Sequence, residues 1–399
     1  VRACREVQVN DVIGFSGRGS DTKIVFDFDD KMGESTCVGC GECVQACPTG
    51  ALMPKTVLDD NQKPLKAESF AKDYTDTVIL FNGDSILIVD DWKSLRSLGP
   101  SSYKRDVKIV TTFVEEMREF CSLPCTISDD FDMSTWDLSN VKSMFFTFWN
   151  TNGFNQDISN WDVSSVTNMS SMFNSATNFN GDISMWDVSS VTNMALMFGG
   201  ASSFNQPLNN WNTSNVTLLS STFRDNGIFN QDLSSWDTSS VTKMQETFMS
   251  NITFNNGQSS GVSNTLQWDT STVTRMDNMF EEASAFNGNI SGWNVSGVTQ
   301  MDRMFFNARV FNQDLSNWNT SSATTLQGMF NGATIFNNGL SAGVSSTIMN
   351  WSTSSVTTIE STFASAPAFN GDISGWDVSN VTIANNLFCL LYTSDAADE

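Results

Sequence analysis

The sequence predicts an α/β repeat solenoid of ten coils, each about 25 residues long. Three observations predict it. Tryptophan recurs at Trp136, Trp161, Trp186, Trp211, Trp236, Trp268, Trp293, Trp318, Trp351 and Trp376, and seven of the nine intervals are 25 residues, the others 32 and 33. The unit itself is repeated almost verbatim, as FNQDISNWDVSSVTNMSSMF at Phe154–Phe173 and FNGDISMWDVSSVTNMALMF at Phe179–Phe198. Finally, apolar residues hold fixed places around the tryptophans: Ile or Leu three before in eight coils, Val five after with Ala323 the exception, Met eight after in most coils and Phe twelve after in all. A period of this size means stacked supersecondary units, none of which buries its apolar face alone.

Within a coil, Ile158, Trp161, Val163 and Val166 have the L-x-x-L-x-L-x-x spacing of leucine-rich repeats, so a short strand is expected there. Val166, Met169, Met172 and Phe173 share one face at helical spacing, and Ser165 or Thr167 could cap that helix. The Met and aromatic ladders read as core. Beside tryptophan runs a ladder of Asp137, Asp162, Asp187, Asn212, Asp237, Asp269, Asn294, Asn319 and Asp377. Stacked carboxylates repel, so either Ca2+ bridges them or each caps its own turn; turn-capping is the preferred reading, since Asn and even Ser352 are accepted at this place.

The two long intervals come from the insertions NNGQSSGVSN at Asn255–Asn264 and NNGLSAGVSS at Asn337–Ser346, which enlarge one loop position twice. They are expected to project from one edge, as binding loops or as tolerated spacers. Asn-x-Ser/Thr triplets begin at Asn212, Asn215, Asn294 and Asn380; they fit glycosylation in a secreted eukaryotic chain and also arise from an Asn/Ser/Thr-rich composition.

The pattern FNqDiSxWDvSxVTxMxxMF over residues 131–388 resembles the BspA-like surface proteins, in the type with 25-residue repeats. That resemblance implies a cell-surface or secreted scaffold, non-enzymatic, that recognises or adheres to a protein or glycan partner.

Charge and composition exclude several classes. The formal charge of −23 argues against nucleic acid, which needs a basic face. Residues 131–399 hold six Lys and Arg against 22 Asp and Glu, a polar rather than a charge-laced surface. Histidine is absent, which removes His-dependent triads and His-ligated metals. No apolar run reaches the ~18 residues of a membrane helix.

A second, unrelated signal lies in residues 1–54. Cys37, Cys40, Cys43 and Cys47, followed by Pro48, form the C-x-x-C-x-x-C-x-x-x-C-P run of bacterial-type ferredoxins, whose tight spacing turns successive thiolates onto one [4Fe-4S] cluster. The stretch from Val1 to Lys55 resembles the ferredoxin-like region of NAD-dependent formate dehydrogenase alpha subunits, with relatives in complex I and iron-only hydrogenases. The resemblance implies a small, truncated ferredoxin-like α+β segment that relays electrons. In two-cluster ferredoxins the fourth cysteine of a run serves the other cluster. Cys4 stands where an upstream run would end, so Cys4, Cys37, Cys40 and Cys43 are assigned to one cluster and Cys47 to a second, incomplete one. The catalytic molybdenum domain of that family has no counterpart here, so the chain is read as more plausibly non-enzymatic than as a formate oxidoreductase.

Residues 55–130 read as a linker or small α+β capping region. Thr77–Asp90 is expected to be a hairpin about Asn82-Gly83, Val107–Val110 a strand and Thr111–Phe120 a helix. Cys121 and Cys125 are expected to be buried thiols. The last stretch, 389–399, resembles a translated sequencing-library adapter. Two functional readings stand together: a surface or secreted recognition solenoid carrying an iron–sulfur segment, or an electron-transfer fragment of an oxidoreductase, joined to the repeats by genuine fusion or by chimeric assembly. They imply opposite compartments, cell surface and cytoplasm.

Overall fold

The computed structural model describes residues 13–16, 23–26, 78–81, 84–88, 107–111, 114–121, 133, 136–342, 344 and 348–389. In the N-terminal part, β1 (Ile13–Ser16) and β2 (Lys23–Phe26) pair antiparallel. A second sheet holds β3 (Val78–Phe81), β4 (Asp84–Ile88) and β5 (Val107–Val110), in that order. β3 and β4 pair antiparallel, Phe81 opposite Asp84, the pairing expected within Thr77–Asp90; Asn82 and Gly83 lie outside the described residues. β5 joins β4 in parallel, with Ser85 opposite Val107.

From Glu116 onward the chain climbs by one coil per repeat. One residue per coil makes a parallel bridge to its counterpart above: Glu116 to Ser143, then Asn168, Asn193, Leu218, Lys243, Arg275, Gln300, Thr325, Thr358 and Ile383. Thr111–Phe120 is therefore not a helix. Its apolar residues Val114, Met117 and Phe120 have helical spacing, but they form a partial coil that covers the first tryptophan: Phe120 meets Trp136 edge-on at 5.2 Å. Spacing alone cannot separate a helical turn from a coil turn when both repeat about every three residues.

The same correction applies inside each coil. Among the described residues there is no α-helix, and the strand expected around Ile158–Val166 reduces to the single bridge at Asn168. The segment expected to be helical is a run of turns whose amides alternate. Met169, Ser171 and Phe173 donate upward to Asn193, Ala195 and Met197 carbonyls at 2.8–2.9 Å, while Met172, Asn174 and Ala176 donate back three residues at 3.0–3.2 Å. Left-handed backbone at Ser171 (φ 55°) and Ser175 (φ 59°) prevents a helix and turns every other amide toward the next coil. Equivalent positions repeat this up the stack, occupied by Leu196, Asp225 and Glu246 at some steps and by Gly200 or Gly332 at others. Thr167, a candidate helix cap, instead gives both its amide and its hydroxyl to the Lys142 carbonyl one coil below, at 2.9 and 3.1 Å.

The core is a set of aromatic columns. Trp161 and Trp186 stack at 6.3 Å and 4°, Phe173 and Phe179 at 3.9 Å within a coil, and Phe179 and Phe204 at 5.7 Å between coils. The indoles from Trp161 to Trp376 also donate to a backbone carbonyl of the coil below, Trp186 to Ile158 at 3.1 Å and Trp211 to Ile183 at 3.0 Å. Met169, Met194 and Phe198 are fully buried, as their ladders predict.

Candidate recognition surface

Outside the core, residues of fixed identity hold the coils and residues of changing identity line the turn run, most of them half-buried. The ladder beside tryptophan is turn chemistry. Asp162 accepts the Ser164 amide at 3.1 Å and its hydroxyl at 2.6 Å; Asp187, Asn212, Asp237, Asp269, Asn294, Asn319 and Asp377 each accept the amide two residues on. Serine donors hold two of these carboxyls below the usual range: the Ser189 hydroxyl and then its amide at Asp187, and the Ser239 hydroxyl and then its amide at Asp237. Among the described residues no group of three or more His, Cys, Asp or Glu is arranged to hold a metal.

Two further ladders escaped the sequence reading. Four residues before tryptophan, Asp157, Asp182, Asp232, Asp314 and Asp372 make the same turn with the serine two residues on. After each outer phenylalanine runs an asparagine column: the Oδ1 atoms of Asn155, Asn180, Asn205 and Asn230 accept the amides of Asn180, Asn205, Asn230 and Asn255 at 2.8–3.0 Å. The legible signal was the recurrence of FN in every unit and of D-x-S before tryptophan in five of them.

The column also anchors both insertions. Fully buried Asn255 accepts the Asn287 amide and donates to the Ser259 and Val262 carbonyls, at 2.6 and 2.9 Å. Asn337 accepts the Asn370 amide and donates to Ser341 and Val344 in the same way, at 2.9 Å each. The first loop then crosses the following coils, Gly261 donating to the Ala285 carbonyl at 3.0 Å. Both loops are built parts, with Val262 and Val344 exposed at equivalent places.

Variation is concentrated on the turn run. At nine, ten and thirteen residues after tryptophan the first coil has Phe145, Phe146 and Trp149, the next Ser170, Ser171 and Asn174, and the next Ala195, Leu196 and Gly199. Farther on come Gln245, Glu246 and Met249, then Asp277, Asn278 and Glu281, then Asp302, Arg303 and Phe306. Two ion pairs here run between neighbouring coils, Arg224 with Glu246 and Arg303 with Glu281, and Arg275 pairs with Asp277 within one coil. Arg224 meets Glu246 at 2.6 Å, Arg275 holds Asp277 with two bonds of 2.9 Å, and Arg303 binds buried Glu281 while its guanidinium lies 3.9 Å over the Phe306 ring. Burial, with Asp277 nearby, raises the Asp302 carboxyl.

The cluster ligands expected from the sequence, Cys4, Cys37, Cys40, Cys43 and Cys47, lie outside the described residues, as do Cys125 and 390–399. Cys121 is buried and disulfide-bonded, not a free thiol. Cys389 is free and exposed. Among the described residues no helix is long and apolar enough to cross a membrane.

Comparison with known proteins separates the same two parts. The family described as "Mycoplasma protein of unknown function, DUF285" matches residues 115–226, 186–266, 257–346 and 343–395. The 4Fe-4S binding domain matches residues 33–53. Proteins carrying the name "Putative formate dehydrogenase" in Staphylococcus haemolyticus (strain JCSC1435) and Staphylococcus aureus (strain USA300) are each 36% identical over 53 residues. That is 13% of this chain and 5% of either relative, so the chain spans about a twentieth of the curated proteins it matches. No solved structure matches.

Proposed function

From the premise that the chain belongs to the DUF285 family, whose repeats cover 115–395, we propose that the repeats are a turn-built solenoid serving as a non-enzymatic recognition or adhesion surface, on the cell surface or secreted. The observation that carries this reading is the division of labour within the unit. Core, threonine, Asx and asparagine positions are kept from coil to coil, while the places equivalent to Ser170, Ser171 and Asn174, half-buried in most coils and buried in others, differ from copy to copy. A repeat that preserves its frame and diversifies one strip presents many side chains to a large partner, as stacked repeats do on their extended surfaces. The partner is a protein or a glycan. The insertion loops, with Val262 and Val344 exposed, extend the same role.

The test is direct. The full chain is immobilised, and binding of solubilised host-surface proteins and of arrayed glycans is compared with a variant carrying Phe145→Ser, Phe146→Ser and Trp149→Asn, the residues of the next coil. Loss of a captured ligand with unchanged thermal unfolding supports the reading; an identical profile at every strip variant opposes it.

The N-terminal 4Fe-4S motif supports a second activity, electron transfer. The chain carries an iron–sulfur binding motif at 33–53, and in two-cluster ferredoxins a run of this spacing supplies three thiolates to one cube and its fourth to the other. In this reading Cys4, Cys37, Cys40 and Cys43 hold one [4Fe-4S] cluster and Cys47 contributes to a second. The segment would then relay electrons as in a formate dehydrogenase subunit, without the catalytic domain. Ca2+ on the Asx ladder is disfavoured, because the serine amides and hydroxyls already occupy the Oδ1 atoms.

A further inference from the structure

The triplets that fit N-glycosylation are not equivalent once the coils are stacked. Asn251 is fully buried, and Asn168 and Asn289 are half-buried. Asn215 and Asn380 are exposed, but each commits its Nδ2 atom to a carbonyl one coil below, Ser189 at 2.7 Å and Ser354 at 2.8 Å. Asn212, Asn294 and Asn319 differ from all of these. They occupy one register position, directly after tryptophan, and all three are exposed. Each uses only Oδ1 for the fold, accepting the amide of the triplet serine at 3.1–3.2 Å. In Asn212 and Asn294 the serine hydroxyl also donates to Oδ1, at 2.8 and 2.7 Å. The amide nitrogen takes no part in that turn. Asn350 is exposed as well, but it makes no such turn and is followed by buried Trp351.

We infer that Asn212, Asn294 and Asn319 are N-glycan acceptor sites, one column of sugars on the edge beside the tryptophans. The donor is a lipid-diphosphate oligosaccharide. The sugar C1–O bond to the diphosphate breaks, the lipid diphosphate leaves with the electron pair, C1–Nδ2 forms, and one amide proton passes to a carboxylate of the transferase. The Asx turn survives because Oδ1, not Nδ2, closes it. At Asn215 and Asn380 a sugar on Nδ2 would press on the carbonyl of the coil below. Asn294 and Asn319 lie on adjacent coils, whose Phe305 and Phe330 rings are 5.5 Å apart. That gap is too narrow for two sugar stems side by side, so these two sites compete, whereas Asn212 lies three coils from Asn294 and fills independently.

This rests on the surface reading only in requiring that the chain meet a transferase, and the experiment supplies that compartment itself. The full chain, led by a cleavable secretory signal, is translated with endoplasmic-reticulum microsomes beside a control glycoprotein. The protease-resistant folded fraction is mapped by enzymatic glycan release in heavy-oxygen water. The expected result is glycan on Asn212, on either Asn294 or Asn319 but not both in one molecule, and loss of most glycan mass in the Asn212→Gln, Asn294→Gln, Asn319→Gln variant with unchanged unfolding. Equal occupancy of Asn215 and Asn380 in folded chains, or bare Asn212, Asn294 and Asn319 beside a modified control, overturns the inference. Neither result bears on partner binding by the turn strip, which the immobilised-chain assay reads separately.

Discussion

Replacing Asn255 by alanine removes three hydrogen bonds at a site with no solvent. Its Oδ1 accepts the Asn287 amide at 2.9 Å, and its Nδ2 donates to the Ser259 and Val262 carbonyls at 2.6 and 2.9 Å. The two carbonyls belong to exposed residues and can turn to water. The Asn287 amide sits between stacked coils and cannot, and an orphaned buried donor costs about 1–3 kcal/mol. Adding roughly 0.5–1 kcal/mol for each carbonyl bond exchanged for water gives a loss of about 2–5 kcal/mol. Local hydrogen exchange is the suitable assay, because stacked repeats open in parts and one global midpoint averages them. The Asn287 amide and the loop amides of Gly261 and Val262 should exchange at least tenfold faster, while those around Ser171 stay protected. Asn337→Ala should reproduce the pattern at Asn370. Unchanged exchange at Asn287 in Asn255→Ala would refute the role given to the asparagine column.

Three other expectations follow from the same geometry. Arg303→Met leaves buried Glu281 without its guanidinium partner; breaking a buried pair costs about 3–5 kcal/mol, and the half-exposed Arg303 reduces this to roughly 1–2 kcal/mol, read by denaturant unfolding. The carboxyls of Asp157, Asp187 and Asp237 are held low by serine hydroxyls and amides, so their contribution is present above the ordinary carboxylate range and is lost as pH falls through the lowered values. Thermal unfolding should therefore weaken only below about pH 4, and Asp187→Asn with Asp237→Asn should flatten that acid limb. Anaerobic reconstitution with iron and sulfide should give the broad visible absorbance of a thiolate cluster, abolished by Cys37→Ser; colourless protein would remove the electron-transfer reading.

The register and the core were readable because both are one-dimensional properties. Trp161, Val166, Met169 and Phe173 recur at fixed distances, and their burial follows from the recurrence alone. What fills the space between them was not readable. The spacing of Val166, Met169, Met172 and Phe173 fits an α-helix, yet a helix would keep all its amides to itself. In the coil every other amide is spent on the neighbour, a choice set by left-handed backbone at Ser171 and Ser175, residues whose side chains do not announce it. The Asx ladder was legible as turn chemistry because Asp, Asn and Ser interchange there, which a metal site would not allow. The asparagine column was equally constant but passed unnoticed, because its bonds run between coils 25 residues apart rather than within a motif. The β3–β4 pairing was recognised because its sequence signal, Asn82-Gly83, is local.

The central claim is that the 25-residue coil is the unit of stacking, and a deletion series measures it most directly. Removing Phe179–Ser203 excises one whole period, so every column closes again, with Trp161 over Trp211 and Phe154 over Phe204. Removing twelve residues from the same place puts core positions opposite surface positions. Thermal unfolding followed by far-ultraviolet circular dichroism should show a cooperative transition for the full-period deletion, near that of the parent, and none for the half-period deletion. Equal tolerance of both, or equal collapse, would contradict the stacking described.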